Sequence, residues 1–577
     1  MITLKYCKFF IAAAIVFCMA AGSILPASAA DIEGKTATAV TVTGTNQIAE
    51  NIVMGVVKVR PGDTLTADKI KEDMQAIYDL GYYFDVVANF TEVPEGVQVI
   101  YTVMENPRLA DIVVKGNSKV DTHKITELVT TGKDGNGILN SRTLNSNVRA
   151  IEQYYHDQGY ILAKVSDVSM TPDGVLTLTI NEGQLEGIVI KGNEKTKTNV
   201  ITREMKVKPG EAFNARDARR SMQKVYNLGY FEDVNMKLNP GQEPNAVVLE
   251  ASVVEQKTGT FSIGGGYSKA DGMIGIIEVG DNNFKGTGDK IKLHWEFGGT
   301  SNRNWEVSYT RPWLDSKQTS LGFSVYDITN EYNKYKKSHR ISTYDKKRKG
   351  VEVTLGRPNG EYIHNYITLK NRKDEYVEHV SGKDLTNDPD YPNYLDDNFG
   401  LTRSVTLTRV FDSRDNVFNA TEGARYSLSA EFAGKAFGGD FDFNKYTAEG
   451  RRYYKVGRDH VIAGRLSLGY ADGDMPETGR FSVGGSDTLR GYEDDEFEGN
   501  KMLTASVEYR FPVVSKVQGV VFSDLGNAWD GKGYKLDDLK YSVGVGIRLT
   551  TPIGPVRIDY AQGEDGGRTH FSFGGQF

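Results

Sequence analysis

Lys540-Tyr541-Ser542-Val543-Gly544-Val545-Gly546-Ile547-Arg548-Leu549-Thr550 alternates without a break. Tyr541, Val543, Val545, Ile547 and Leu549 fall on one face of an extended chain, and Ser542, Gly544, Gly546, Arg548 and Thr550 on the other. Successive side chains of a strand point to opposite faces, so this stretch predicts a half-apolar β-strand. The same pattern recurs at Asn304–Thr310, Ala424–Phe432, Ile462–Tyr470, Leu503–Phe511 and Val556–Ala561. A soluble sandwich shows it too. These segments, however, approach the roughly 9–11 residues of a tilted spanning strand, and their polar faces carry Arg, Glu and Asp. Their apolar faces end in aromatics such as Trp305, Tyr309, Tyr470 and Tyr560, as membrane girdles do. They predict a transmembrane antiparallel β-barrel over 257–577.

Those 321 residues, at about 20 per strand and turn, give roughly sixteen strands, an even number as such barrels require. Polar insertions at Asn330–His339, His379–Asn398 and Ala471–Asn500 follow the fifth, seventh and eleventh predicted strands. Short links at Pro512–Lys516 and Thr551–Gly554 follow even ones. Long connections thus share one side of the membrane and short ones the other.

Upstream, the style changes and the chain repeats itself three times. Val40-Thr41-Val42-Thr43-Gly44, Ile112-Val113-Val114-Lys115-Gly116-Asn117 and Ile188-Val189-Ile190-Lys191-Gly192-Asn193 are β-branched strands closing on a turn glycine. Two helical segments follow in each copy, broken by Arg60-Pro61-Gly62 and Lys208-Pro209-Gly210 in the first and third. The second helix stops at Gly81-Tyr82, Gly159-Tyr160 or Gly229-Tyr230, glycine being the expected residue past a last helical turn. Two more strands close each copy. The fold class is therefore three tandem α+β modules of order β-α-α-β-β, at 37–106, 108–183 and 185–256, followed by the barrel.

Residues 1–29 read as a secretory signal peptide: Lys5 and Lys8, the apolar run Phe9–Ala21, then Ala27-Ser28-Ala29 for cleavage. Both cysteines, Cys7 and Cys18, lie within it, which leaves the exported chain no thiol chemistry and no disulfide. With 69 basic against 76 acidic residues the net charge is −7, the wrong sign for holding nucleic acid by phosphate neutralisation. Sixty-two glycines and 31 tyrosines, with mean hydropathy −0.42, suit many short strands rather than spanning helices. No Gly-x-x-x-x-Gly-Lys-Ser/Thr loop, Gly-x-Ser-x-Gly elbow or His-Glu-x-x-His pair is present, and the eight histidines are scattered. The sequence thus predicts no catalytic site, no metal and no cofactor.

Tandem β-α-α-β-β units feeding a barrel that ends in Phe577 resemble the BamA-type outer-membrane protein assembly factors, whose repeats are POTRA (polypeptide-transport-associated) domains. Leu489-Arg490-Gly491-Tyr492, in the longest insertion, is similar to the motif that this family folds back into the barrel lumen. Ser506-Val507-Glu508-Tyr509 and Phe522-Ser523-Asp524-Leu525-Gly526 resemble the strands that receive its arginine. Asn282-Asn283-Phe284-Lys285-Gly286-Thr287-Gly288, Asp412-Ser413-Arg414-Asp415-Asn416 and Thr551-Pro552-Ile553-Gly554-Pro555 match further family turns. The resemblance implies a cell outer-membrane location with the repeats in the periplasm. It implies as partners unfolded outer-membrane β-barrel clients, periplasmic chaperones, accessory assembly proteins and outer-membrane lipid. A TamA-type factor, a two-partner secretion transporter and, more distantly, a passive porin remain as alternatives.

Parity places Glu508 in the lumen beside Thr504, Ser506 and Arg510, whereas Asp524 shares parity with Val520 and Phe522, which leaves its direction open. A lumenal Arg490 could bind both carboxylates through its planar fork, and Gly491 would permit the turn beside it. The first barrel strand carries Gly264, Gly265 and Gly266 and the last Gly574 and Gly575, and glycine weakens strand pairing. Pairing of Thr258–Ser268 with Thr569–Phe577 is expected to form a lateral seam able to expose an edge for β-augmentation. Phe571, Phe573 and Phe577 resemble a C-terminal outer-membrane signal, from which Gly575 at the third position from the end departs.

Overall fold

The three upstream repeats each build a three-stranded sheet from β-branched segments that cannot bury their own faces, covered by one short helix and one longer one. In the first repeat, strand Ala37–Thr43 leads to helices Glu50–Val56 and Ala67–Tyr78 and strands Tyr83–Val93 and Gly96–Glu105. The second runs Asp111–Lys115, Thr122–Leu128, Ser141–Asp157, Lys164–Met170, Val175–Asn181. The third runs Gln184–Lys191, Thr198–Thr202, Ala215–Asn227, Phe231–Pro240, Ala246–Glu255. In every sheet the last strand is central; in the first two it pairs parallel to the first strand and antiparallel to the middle one. This computed structural model describes residues 32–133, 137–268, 272–298, 302–336, 339–531, 533–551, 554–564 and 566–573. The predicted signal peptide lies outside the described residues.

Two devices recur in all three repeats. The turn glycines Gly44, Gly116 and Gly192 have φ of +91°, +79° and +84°, and a Cβ on each would lie 2.1, 2.2 and 2.1 Å from the carbonyl oxygens of Val103, Ile180 and Val253. Only glycine tolerates both the left-handed backbone and that approach. A glutamate ending the last strand then grips the loop beyond the glycine. Glu105 accepts from the amides of Asn46, Gln47 and Ile48; Glu182 from Ser118 and Lys119; Glu255 from Lys195 and Thr196.

The second device lies on the buried face of the long helix. Asp73 accepts from the amides of Lys58 and Val59 and from the Tyr101 hydroxyl; Asn147 accepts from Thr130 and Thr131; the Ser221 hydroxyl accepts from Lys206. Three chemically different side chains, evenly spaced along the chain, accept the backbone N–H groups of the loop just past the short helix.

The chain divides into two units, the first running to Glu186 and taking in Gly210–Ala215 and Pro240–Val247. Within it, successive modules meet through one repeated joint. Ser141 N donates to the Gly81 carbonyl at 2.8 Å while Asn140 Nδ2 donates to Leu80 O. Ala215 N likewise donates to the Gly159 carbonyl at 2.8 Å, with Asn214 Nδ2 on Gln158 O. At the corresponding place in the first module, Ala67 N donates instead to the Glu33 carboxylate at 3.0 Å.

The second unit holds the rest of the third module and a 16-stranded antiparallel sheet in which consecutive strands are neighbours. It begins with Gly259–Ser268 and ends with the fourteenth, fifteenth and sixteenth strands, Lys540–Thr551, Gly554–Gly563 and Gly566–Phe573. Side chains alternate as predicted: Tyr541, Val543 and Val545 are more than half exposed, Ser542 and Arg548 buried. The fifth strand continues to Lys336 and the sixth starts at His339, so most of the predicted Asn330–His339 insertion is ladder. Above the bilayer no face contacts lipid, and the apolar alternation that marks a spanning strand is absent there. The Ala471–Asn500 insertion also begins as strand, the eleventh running Val461–Asp474.

Turns after even strands meet the third module. Trp313 Nε1 donates to Glu204 at 2.6 Å, Arg220 Nε to Glu361 at 2.8 Å, and the Phe418 ring packs where Gly229 lacks a Cβ. Short links and the soluble repeat therefore share one side of the sheet. No helix among the described residues is long and apolar enough to cross a membrane.

Candidate functional site

Between the eleventh strand and the twelfth, Lys501–Val514, the chain makes a long loop held by a small hairpin of Phe481–Val483 with Phe497–Gly499. Val483, Leu489, Tyr492 and Phe497 pack with Ala528 into a core of their own, so the loop carries its own fold into the lumen. Gly484 and Gly485, at φ +132° and +89°, turn the chain, and Thr488 Oγ1 donates to the Gly484 carbonyl at 2.8 Å.

Arg490 is fully buried. Its Nε and Nη2 donate to the two Asp524 oxygens at 2.7 Å each, a bidentate pair on the thirteenth strand, Val517–Trp529. Nη1 donates to Glu508 at 2.8 Å and Asp559 at 3.2 Å, and Nη2 to the Ser506 hydroxyl at 3.2 Å. All five guanidinium N–H groups thus have acceptors. The guanidinium also lies 3.3 Å above the centroid of the Phe522 ring. Glu508 accepts in addition from Arg510 and Arg548 at 2.9 Å each, and Arg548 also pairs with Asp559. Arg490, Arg510 and Arg548 balance Glu508, Asp524 and Asp559, so the cluster is electroneutral away from water. Removing one member of such a buried set strands a charge, typically at about 3–5 kcal/mol.

Asp524 faces inward, and so do Val520 and Phe522, both nearly fully buried. They belong to a small apolar cluster with Ala561. The inner wall beneath the loop is dry, so interior parity does not mean a polar side chain there.

Gly491, at φ +91°, presents its amide to His570 Nε2 at 2.9 Å, and a Cβ there would meet Gly563 N at 3.0 Å. The Tyr492 hydroxyl donates to Tyr541 O at 3.1 Å. The motif therefore reaches every strand from the twelfth to the sixteenth. Asp559 and His570 escape the sequence reading, and Ser506, Arg510, Arg548 and Phe522 enter it only by parity or within a motif, not as partners of the arginine. Except for Phe522, their signal was available: each is a polar residue on the inward parity of its strand.

Gly264, Gly265 and Gly266 lie in the first strand, paired to Ile276, Gly275 and Ile274 of the second. Gly574, Gly575 and Phe577 lie outside the described residues; Phe573 ends the sixteenth strand and Phe571 is exposed on it. Among the described residues no ladder joins the first strand to the sixteenth, and no group of His, Cys, Asp or Glu could hold a metal.

Tandem soluble modules, a 16-stranded sheet with apolar outward faces and a loop arginine clamped inside it define an outer-membrane barrel protein with periplasmic repeats. Comparison with known proteins agrees. Residues 283–577 match the Omp85 superfamily domain, and 36–106, 107–183 and 184–256 each match POTRA, described as surface antigen variable number repeat. The chain belongs to the Omp85 superfamily. The outer membrane protein assembly factor BamA of Nitratidesulfovibrio vulgaris is 29% identical over 558 residues, covering 88% of this chain and 68% of that protein. Outer envelope protein 80, chloroplastic, of Arabidopsis thaliana is 24% identical, covering 89% and 73%. Among solved structures, CdiB from Escherichia coli shares the fold at TM-score 0.60 and 15% identity, covering 81% of this chain and 89% of that one.

Proposed function

We propose that this protein is a BamA-type assembly factor that folds and inserts β-barrel proteins into the outer membrane, its repeats receiving unfolded clients in the periplasm. The observation that carries the reading is the clamp. Arg490 and its neighbours tie the last five strands to one loop, while the first strand carries three consecutive glycines and, among the described residues, no such tie. A seam between a braced edge and a weak one opens at the weak side, and the freed edge can template an incoming strand through main-chain hydrogen bonds.

No bond is made or broken for the client by a side chain in this scheme. The free energy comes from the client burying its own apolar belt and satisfying its own backbone. The protein lowers a barrier. The outer strands of the repeat sheets offer further edges to extended chains, and their surfaces are seats for chaperones and accessory proteins.

The test is reconstitution in liposomes with an added unfolded barrel protein. Wild type should accelerate its folding, whereas cysteine pairs joining Thr258–Ser268 to Thr569–Phe573 should abolish that acceleration when oxidised and restore it when reduced. Undiminished insertion by the locked protein would refute the seam. A barrel that conducts ions without speeding folding would instead be a porin.

A further inference from the structure

The outward faces of the eighth to tenth strands, Gly400–Asp412, Gly423–Ala433 and Asp442–Lys455, should present large apolar residues to lipid throughout. At one place they do not. Ala430 and Ala448 stand diagonally across the ninth and tenth strands, opposite Tyr446 and Leu428, and a groove of about 650 Å³ opens in the outer wall. Leu407, Leu428, Tyr446 and Tyr470 line it, the two tyrosine rings stacked with centroids 6.3 Å apart. That volume falls within the roughly 300–1,000 Å³ of small-ligand sites.

One cation closes the periplasmic end. Arg409 shares the outward parity of Leu407 and Phe411 and is exposed. No carboxylate or hydrogen-bond acceptor partners it among the described residues. Directly across the ladder is Asn365, which also lines the groove. Arg409 stands three residues before Asp412, where the strand ends, so it lies about 10 Å along the strand from the periplasmic edge. A guanidinium on a lipid-facing surface requires an anion or a route to the interface, and its long stem lets it reach headgroup depth. The contrast is Arg403 on the same outward face, whose Nε donates to Asn371 at 2.8 Å and whose Nη1 donates to the Phe437 carbonyl at 3.3 Å.

We propose that this groove is a fixed seat for one anionic glycerophospholipid of the periplasmic leaflet. Its phosphate is held by the Arg409 fork and the Asn365 amide, and one acyl chain lies over Ala430 and Ala448. Planar bidentate geometry matches a phosphate, and the small floor residues leave room for a chain that flanking strands do not. The inference rests on the sheet being a membrane barrel and is independent of assembly activity.

Native mass spectrometry of the detergent-purified full chain, equilibrated with phosphatidylglycerol or phosphatidylethanolamine, reads the site directly. Wild type should retain one phosphatidylglycerol at least tenfold more strongly than phosphatidylethanolamine. Arg409→Gln and Ala448→Phe should each lose that preference about tenfold, while Arg403→Gln keeps it. Heat-modifiable migration confirms that each variant is folded, so failure of the barrel is told apart from failure of the seat. Equal retention by Arg409→Gln and wild type, or equal retention of the two lipids by wild type, would overturn the proposal, the latter leaving only ordinary boundary lipid.

Discussion

His570 accepts the main-chain N–H of Gly491 through Nε2 at 2.9 Å, which joins the lumen loop to the sixteenth strand beside the expected seam. With Nε2 accepting, the ring proton is assigned to Nδ1. The loop therefore holds this edge of the barrel through a neutral hydrogen bond and the half-exposed Glu493–Arg568 pair at 3.2 Å, and the strands behind it through buried ionic contacts.

His570→Phe removes the acceptor and keeps the ring. It should cost about 1 kcal/mol of local stability and raise hydrogen exchange at Gly491, leaving the Arg490 contacts intact. Unchanged exchange at Gly491 would show that the bond does not hold the edge.

Arg490 should couple unequally to its carboxylates. Losing its side chain leaves Glu508 with Arg510 and Arg548, but leaves Asp524 with no cation, only the Ser506 hydroxyl and the main-chain N–H of residue 490. Double-mutant cycles on barrel stability should therefore give about 2–3 kcal/mol for Arg490 with Asp524 and about 1 kcal/mol for Arg490 with Glu508. Equal coupling, or none, contradicts the geometry.

Gly116→Ala and Gly210→Ala should differ. Both glycines have positive φ, +79° and +87°, but a Cβ at 116 meets Ile180 O at 2.2 Å whereas one at 210 meets nothing within 4 Å. The second substitution should cost about 1–2 kcal/mol from backbone strain alone, the first more. Hydrogen exchange around Thr179–Glu182 is the readout.

Acid should loosen the third module's glutamate grip. Burial raises the Glu255 carboxyl, but hydrogen bonds from Thr196 and Lys195 outweigh it and hold the group below the usual carboxylate range. A lowered folded value means the stabilisation is full above the unfolded pKa of about 4.3 and is lost as pH falls through the folded value. Amide exchange at Lys195 and Thr196 should rise below about pH 4, and Glu255→Gln should remove that pH step.

Much of this was legible in sequence, for reasons visible in particular residues. Alternation in 540–550 gave the strand and its lipid face because water and hydrocarbon select opposite residue types. The turn glycines marked the repeats because no other residue fits there. Asp73, Asn147 and Ser221 escaped notice because their common role is to accept backbone hydrogen bonds, which three different side chains can do. Asp524 was ambiguous because the loop that it binds also dries the wall around it, admitting Val520 and Phe522. Asn330–His339, most of it ladder in the fifth and sixth strands, reads as an insertion in sequence because it rises clear of the layer that imposes the pattern.

The socket that seats Ser141 on Gly81 and Ala215 on Gly159 is made of main chain and an asparagine, indifferent to most neighbouring side chains. A copied segment carrying the same two ends would find its berth already cut. Gene duplication could thus lengthen such an arm in one step, with no compensating changes elsewhere in the chain.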